Sequence, residues 1–226
     1  MTELEAIRQR HSVRAYQDRK IEPEKVEALQ GLIREVNEAG RLHLQLLTDA
    51  GKTFSRLLNR AMGLASAPSV IACVGPDDET LDERIGYYGE KLVLAAQAMG
   101  LNTCWAGTFS RSGIAAEIGA GERLSLVIAI GYGTTQGKVR KSKSAAQLSS
   151  APADRPEWFD LGVELALLAP TAMNQQRFQI TLREDGSVDI SDRGGVMSGV
   201  DQGIVKYHFE AGARAKGHTI SLLRGK

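Results

Sequence analysis

An α+β fold, a mixed and largely antiparallel sheet flanked by helices, is what this 226-residue sequence predicts. Three observations carry that expectation. Ser69–Val74 and Leu124–Ile130 are short, continuous apolar runs with the length of strands buried on both faces. Segments of helical spacing mingle with them without a strict strand–helix alternation. Asp185-Gly186, set between Phe178–Arg183 and Val188–Ser191, is a hairpin signal, and hairpins join antiparallel strands. A single domain over residues 1–226 is expected, with two interlocked halves, 1–132 and 156–226, joined by a basic linker. Alone, the C-terminal piece of about 70 residues is marginal as an independent core.

Taken in order, Thr2–Gln9 is a short amphipathic helix that Thr2 can cap. A second helix starts at Pro23, with Val26, Leu29, Ile33 and Val36 on one face. Leu42–Thr48 alternates as a strand does, and Ser69–Val74 follows. Tyr87–Met99 is apolar nearly all round, so this helix is buried in the core or between subunits. Gly100 caps it and Leu101–Trp105 returns as extended chain. Gly131–Pro156 is the linker, carrying Lys138, Arg140, Lys141 and Lys143. Beyond it come a helix at Glu157–Leu168, the hairpin, a helix at Ile204–Lys216 capped by Gly217, and a final strand at Thr219–Leu223. Asp201 is expected to cap that last helix. Leu94–Gly100 resembles Glu210–Gly217, both small-residue helix ends closed by glycine, which suggests two similar half-folds.

Lys+Arg 28 against Asp+Glu 27 leaves a net charge of +1, which argues against a global attraction to nucleic acid or to an anionic membrane. Cys73 and Cys104 lie in apolar stretches and give no disulfide framework; Cys104 is expected to be an inert buried thiol. Met1–Arg10 has charges of both signs and no apolar core, and no run reaches the ~18 apolar residues of a membrane span. A cytoplasmic protein is expected. Gly131–Lys138 fails as a phosphate-binding loop, with one residue too many between Gly131 and Gly137 and Val139 where a hydroxyl is needed. Gly119-Ala-Gly121 is a broken dinucleotide fingerprint, since position 124 is Leu. The four histidines, His11, His43, His208 and His218, have no ligand spacing, so no metal is expected; His208 is expected at a core or interface position.

Two segments carry chemistry. In extended chain Arg10, Ser12 and Arg14 share a face, and two guanidinium forks with a hydroxyl suit a phosphate; a solvated basic turn is the competing reading. In Leu168–Phe178 a helix stops at Pro170 and an amide-rich loop with Asn174 and Gln176 leads into a strand. Amides donate and accept at once, which fits the alternating edge of a pyrimidine-type ring, whereas ordinary loop capping is the plainer use.

On these residues the chain resembles the FMN-dependent nitroreductase family. The matching motifs are Arg10-x-Ser12-x-Arg14 before Tyr16 and Ala169-Pro-Thr-Ala-x-Asn174-x-Gln176. Ala98 to Trp105 with Gly107-Thr-Phe109, and Gly131-Tyr132 ahead of the basic segment, complete the set. The Asn loop follows the linker instead of the first helices, so the chain is similar to a rearranged branch in which a second half-fold carries that loop; Arg177-Phe178 also replaces the usual Pro-Trp. The resemblance implies a homodimeric enzyme that binds FMN and takes electrons from NADH or NADPH. It then reduces nitroaromatic, quinone or similar acceptors by ping-pong turnover, with no catalytic side chain because the flavin N5 carries the chemistry. Arg10, Ser12 and Arg14 would hold the phosphate and ribityl chain, with His11 beside them. Main-chain groups of Trp105, Ala106, Gly107 and Thr108 would approach N5 and O4. Lys143, with Lys141 or Arg140, would add a second contact to the phosphate, a solvated linker face being the competing reading; Asn174 would hydrogen-bond the ring edge, with Gln176 a cofactor-binding residue of the same loop. A flavin store or sensor with little turnover, and a non-enzymatic anion-binding module, are the alternatives.

Overall fold

The computed structural model describes residues 1–50, 52–54, 64 and 67–223. The chain divides into two compact units. A sheet unit comprises Arg10–Leu81 and Leu92–Val139, and a helical unit comprises Met1–Gln9, Asp82–Lys91 and Arg140–Lys226.

The sheet unit is built on four antiparallel strands: β1 (Gln45–Leu47), β2 (Ser69–Pro76), β3 (Asn102–Ala106) and β4 (Glu122–Gly131), in the order β1-β2-β4-β3. The two central strands are the two continuous apolar runs, and their interiors are wholly buried, as such runs require. One face of the sheet packs Val70, Ala72, Val74, Cys104, Leu124, Val127 and Ala129 against Val13 and Tyr16. The pairing of β2 with β4 slips between Cys73 and Val74, a bulge that Arg111 fills by donating to the carbonyls of Leu124 (2.6 Å) and Ser125 (3.5 Å). Helix α2 (Pro23–Gly40) starts at its proline and buries Leu29, Ile33 and Val36, three of the four residues at helical spacing.

In the helical unit, α1 (Glu3–Gln9) opens with a reciprocal cap: Glu5 N–H donates to Thr2 Oγ1 and Thr2 N–H to Glu5 Oε2. The hairpin stands as expected, with β6 (Phe178–Leu182) paired antiparallel to β7 (Val188–Asp192) and Gly186 at φ +80° in the turn. The basic segment is not wholly irregular. Ser144 and Gln147 form a capping box on α4 (Ala145–Leu148), and β5 (Ser149–Ser150) then joins the edge of β6 in parallel. Helix α5 (Glu157–Ala166) follows.

Helices α3 (Leu81–Ala98) and α6 (Ser198–Ala215) both begin six residues before the expected starts, and both have 18 residues. The missed turns contain Gly86, Gly199 and Gly203, residues that depress helix propensity. The Asp82–Lys91 stretch of α3 lies in the helical unit, and there these glycines have a packing role. A Cβ on Gly86 would sit 2.0 Å from Val200 O, and one on Gly203 would sit 2.0 Å from Glu83 O. The contact is reciprocal, since Gly86 meets Val200 and Ile204 while Gly203 meets Glu83 and Tyr87 at the same spacings. Gly100 (φ +77°) and Gly217 (φ +76°) each close their helix two residues past its last residue. Buried polar pairs line this seam: Lys206 with Glu83 (2.6 Å), His208 with Glu90 (2.9 Å) and Tyr87 with Glu210 (2.5 Å). His208 is thus a core residue, its other ring nitrogen 3.0 Å from Leu165 O.

Two local expectations fail. Thr219–Leu223 forms no strand; Leu222 N–H donates instead to the buried Glu210 carboxylate at 2.6 Å, which draws the segment onto α6. Asp201 is not the cap of α6, because it lies inside the first turn and Met197 (φ 57°) stands at the cap position.

Candidate functional site

The first cluster belongs to the sheet unit. Arg10–Gln17 is extended and bonded along two edges. Ser12 bridges Thr103 of β3 in parallel, with Val13 N–H donating to Thr103 O at 3.0 Å. Farther on, Tyr16 bridges Gly133, Gln17 N–H donates to Tyr132 O (2.8 Å) and Thr134 N–H donates to Ala15 O (2.9 Å). Val13 and Tyr16 are both buried in the core although they stand an odd number of positions apart, so the stretch does not alternate strictly. Arg10, Ser12 and Arg14 all act on one group, the Cys104 thiol. Burial pushes that thiol up, while the charges of Arg14 and Arg10 and a hydrogen bond with Ser12 pull it down. All three residues therefore lie near the Cys104 thiol. Arg10 is 4% exposed and Arg14 is open to solvent.

Two features missing from the sequence reading shape this cluster. Gly137 has φ +81°, and a Cβ there would lie 2.6 Å from His11 Cβ and 3.2 Å from Ser12 O. Asn102 accepts from Gly133 N–H (2.9 Å) and donates to Gln136 (3.0 Å), tying the end of β4 to β3. The glycine-rich stretch that fails as a phosphate loop is thus a clamp on His11–Ser12. Its seven-residue span, glycine to glycine, gave no sign of this. Strand β3 is the sheet edge, and its Thr103 carbonyl faces Val13. By strand parity the main chain of Trp105 faces the same side. Trp105 is half-buried, Ala106 buried, and Gly107 and Thr108 are exposed where the strand leaves the sheet.

The second cluster belongs to the helical unit. Met173, Asn174 and Gln176 have φ of 50°, 54° and 45°, three left-handed non-glycine residues within four. Such a loop persists only when its surroundings over-determine it, and such loops gather at functional sites. Here the restraint comes from residues 140–143. Arg140 donates to Leu167 O (3.2 Å) and Ala169 O (2.6 Å), neutralising carbonyls just past the end of α5. Lys143 Nζ donates to Gln175 O (2.9 Å) and Gln176 O (3.0 Å). Asn174 Nδ2 donates to Lys141 O at 2.8 Å, which directs its Oδ1 elsewhere as an acceptor. Gln176 is buried, with Oε1 accepting from Lys143 N–H and Nε2 donating to Leu167 O. Its side chain holds the loop, and Lys141 and Asn174 are the exposed polar residues around it. Asp201 is the residue the sequence reading misassigned: both its oxygens accept the Ala172 N–H, at 2.9 and 3.1 Å.

Among the described residues no group of three His, Cys, Asp or Glu could hold a metal ion, and no helix is long and apolar enough to cross a membrane.

The family model described as "Putative TM nitroreductase" matches residues 3–213. Among solved structures, a "putative nitroreductase" from Thermotoga maritima is 24% identical, with a TM-score of 0.72 over 100% of this chain and 90% of its own. A "putative NADH oxidase" from Clostridium acetobutylicum is 20% identical, with a TM-score of 0.50 over 67% of this chain and 99% of its own. A structure from Desulfovibrio desulfuricans, described as a nitroreductase in complex with FMN, aligns at 22% identity and a TM-score of 0.46 over 69% of this chain and 98% of its own. No curated protein matches.

Proposed function

Because the chain belongs to the nitroreductase family, we propose that it is an FMN-dependent oxidoreductase, with NADH or NADPH as donor and a nitroaromatic, quinone or similar small molecule as acceptor. The observation that carries the reading is the placement of Arg10, Ser12 and Arg14 near the Cys104 thiol, beside the edge of β3. This donor set fits the group. Two permanent cations and a hydroxyl suit a phosphate monoester, and Gly137 keeps His11–Ser12 clear of any side chain where the backbone turns past them.

Arg14, exposed, reaches the phosphate, while buried Arg10 supplies fixed positive charge next to it. Ser12 adds a neutral donor, and His11 flanks the same group. Main-chain groups of Trp105 and Ala106 on the edge strand, and of Gly107 and Thr108 just past its end, would orient the planar ring. Asn174 offers the acceptor Oδ1 to a ring N–H, and its own N–H₂ stays anchored to Lys141 O. Lys141 contributes cationic charge. Lys143 spends two of its three donors on the loop and keeps one for an anion; Gln176 serves through the loop it holds. Bound FMN supplies two-electron chemistry with a nicotinamide and then with the acceptor, so no protein acid or base is needed for hydride delivery. The chain is proposed to act as one domain in a cytoplasmic homodimer.

If donor and acceptor use one ring face in turn, they exclude each other. Steady-state rates with FMN-loaded protein should then give parallel double-reciprocal lines as the quinone concentration is varied at several NADPH levels. Intersecting lines would exclude a shared face.

A further inference from the structure

We infer that Asp201 is a positioning residue for the Asn174 loop, its carboxyl group holding the Ala172 N–H so that the loop's closed state is linked to protonation; the inference rests on the reading of that loop as a flavin-binding element. The geometry is local to the helical unit. Asp201 sits in the first turn of α6 and points both oxygens at one amide, that of the first residue of the 172–174 turn. The restraints from Lys143 and Gln176 act on the far side of the loop, on residues 175 and 176. On the near side, Arg140 holds the Ala169 carbonyl, and Asp201 holds the amide of Ala172, two residues beyond Pro170. Two left-handed residues, Met173 and Asn174, lie between these two sets of anchors, and the third, Gln176, is itself held.

The end of the loop also stands beside the carboxyl group. Gln175 and Arg177 line the same small cavity as Asp201, together with Asp192, Ser198 and Gln202. Moving the loop away would remove Gln175 and Arg177 from that cavity and let water reach Asp201. Burial is the main cause that pushes this carboxyl up to about 7, and Asp192 adds to it; the Ala172 N–H and the charge of Arg140 oppose it. Arg177 is the remaining charged residue around the cavity. The sign follows from linkage. A loop state that exposes Asp201 leaves it an ordinary carboxyl, with a pKa of about 3.9. The closed state thus binds the proton more tightly, and closure is favoured below about pH 7 and weakened above it. A neutral carboxyl still accepts the Ala172 N–H through its carbonyl oxygen.

The test uses the 226-residue protein free of cofactor and amide hydrogen exchange at Asn174 and Gln175, corrected for intrinsic rates. With a midpoint near 7, protection in the parent should fall about tenfold from pH 6 to pH 8. Asp201→Asn keeps an acceptor and cannot titrate, so its protection should be high and equal at both pH values. Asp201→Ala leaves a half-buried N–H without its acceptor and should be poorly protected at both. Protection in Asp201→Ala that equals the parent's, or a pH response retained in Asp201→Asn, would overturn the inference. Riboflavin binding separates this from the flavin reading. It should weaken in Asp201→Ala and be rescued in Asp201→Asn. Loss of protection with unchanged riboflavin affinity would keep Asp201 as the loop's anchor and refute the loop as a flavin element.

Discussion

Arg10 and Arg14 differ in exposure although they flank the same serine, and that difference separates their expected roles. Arg14→Ala should weaken FMN binding by about 1.5–3 kcal/mol, the worth of hydrogen bonds to a charged group, and leave riboflavin binding almost unchanged. Equal losses for the two ligands, measured by fluorescence titration, would assign Arg14 to the fold. Gly137→Ala strains a left-handed position and drives a methyl onto His11, so a loss of about 1–3 kcal/mol is expected in denaturant unfolding, with FMN affinity falling alongside. Asp201 sets a pH signature of its own. Its folded pKa of about 7 lies above the unfolded value of about 3.9, so the folded state binds more protons between them. Its contribution is most favourable below about pH 4 and is lost as pH rises through 7. The melting temperature of the parent should therefore drop from pH 5 to pH 8 by more than that of Asp201→Asn; parallel profiles would contradict the buried carboxyl.

At the scale of elements, the α3–α6 seam is the least tolerant place in the helical unit. Gly203→Ala puts a carbon 2.0 Å from a main-chain oxygen and should cost about 3 kcal/mol or more, whereas Gly100→Ala meets nothing within 4 Å and should cost only its left-handed strain, about 1 kcal/mol. Comparable losses for the two in thermal unfolding would contradict the close helix approach. This seam also shows why sequence legibility was uneven. Strands β2 and β4 announced themselves, because burial on both faces leaves only apolar residues, and the hairpin did so through Asp185-Gly186. The first turns of α3 and α6 did not, because glycines chosen for close packing carry the signature of a helix breaker. The Arg10–Arg14 segment was legible as an extended stretch, because its character is local. The roles of Arg140 and Lys143 were not, because their acceptors are loop carbonyls more than 25 residues away. A sequence shows the cation and hides its partner.

For the whole molecule, the resemblance to a homodimeric family meets a helix α3 whose Glu83–Tyr87 stretch is already covered by α6 of the same chain. A homodimer of this protein must therefore form through other surfaces. Sedimentation equilibrium of the FMN-loaded protein should give twice the chain mass, and a mass of one chain would show that a single copy suffices. The central claim is that the donor set at Arg10–Arg14 serves a flavin that turns over. It is tested most directly by the visible spectrum of the FMN-reconstituted protein before and after anaerobic NADPH or NADH. The expected result is about one FMN per chain, retained through gel filtration and bleached by one equivalent of nicotinamide, then restored by a quinone. A protein that retains no FMN, or a bound flavin that both nicotinamides leave oxidised, would contradict it.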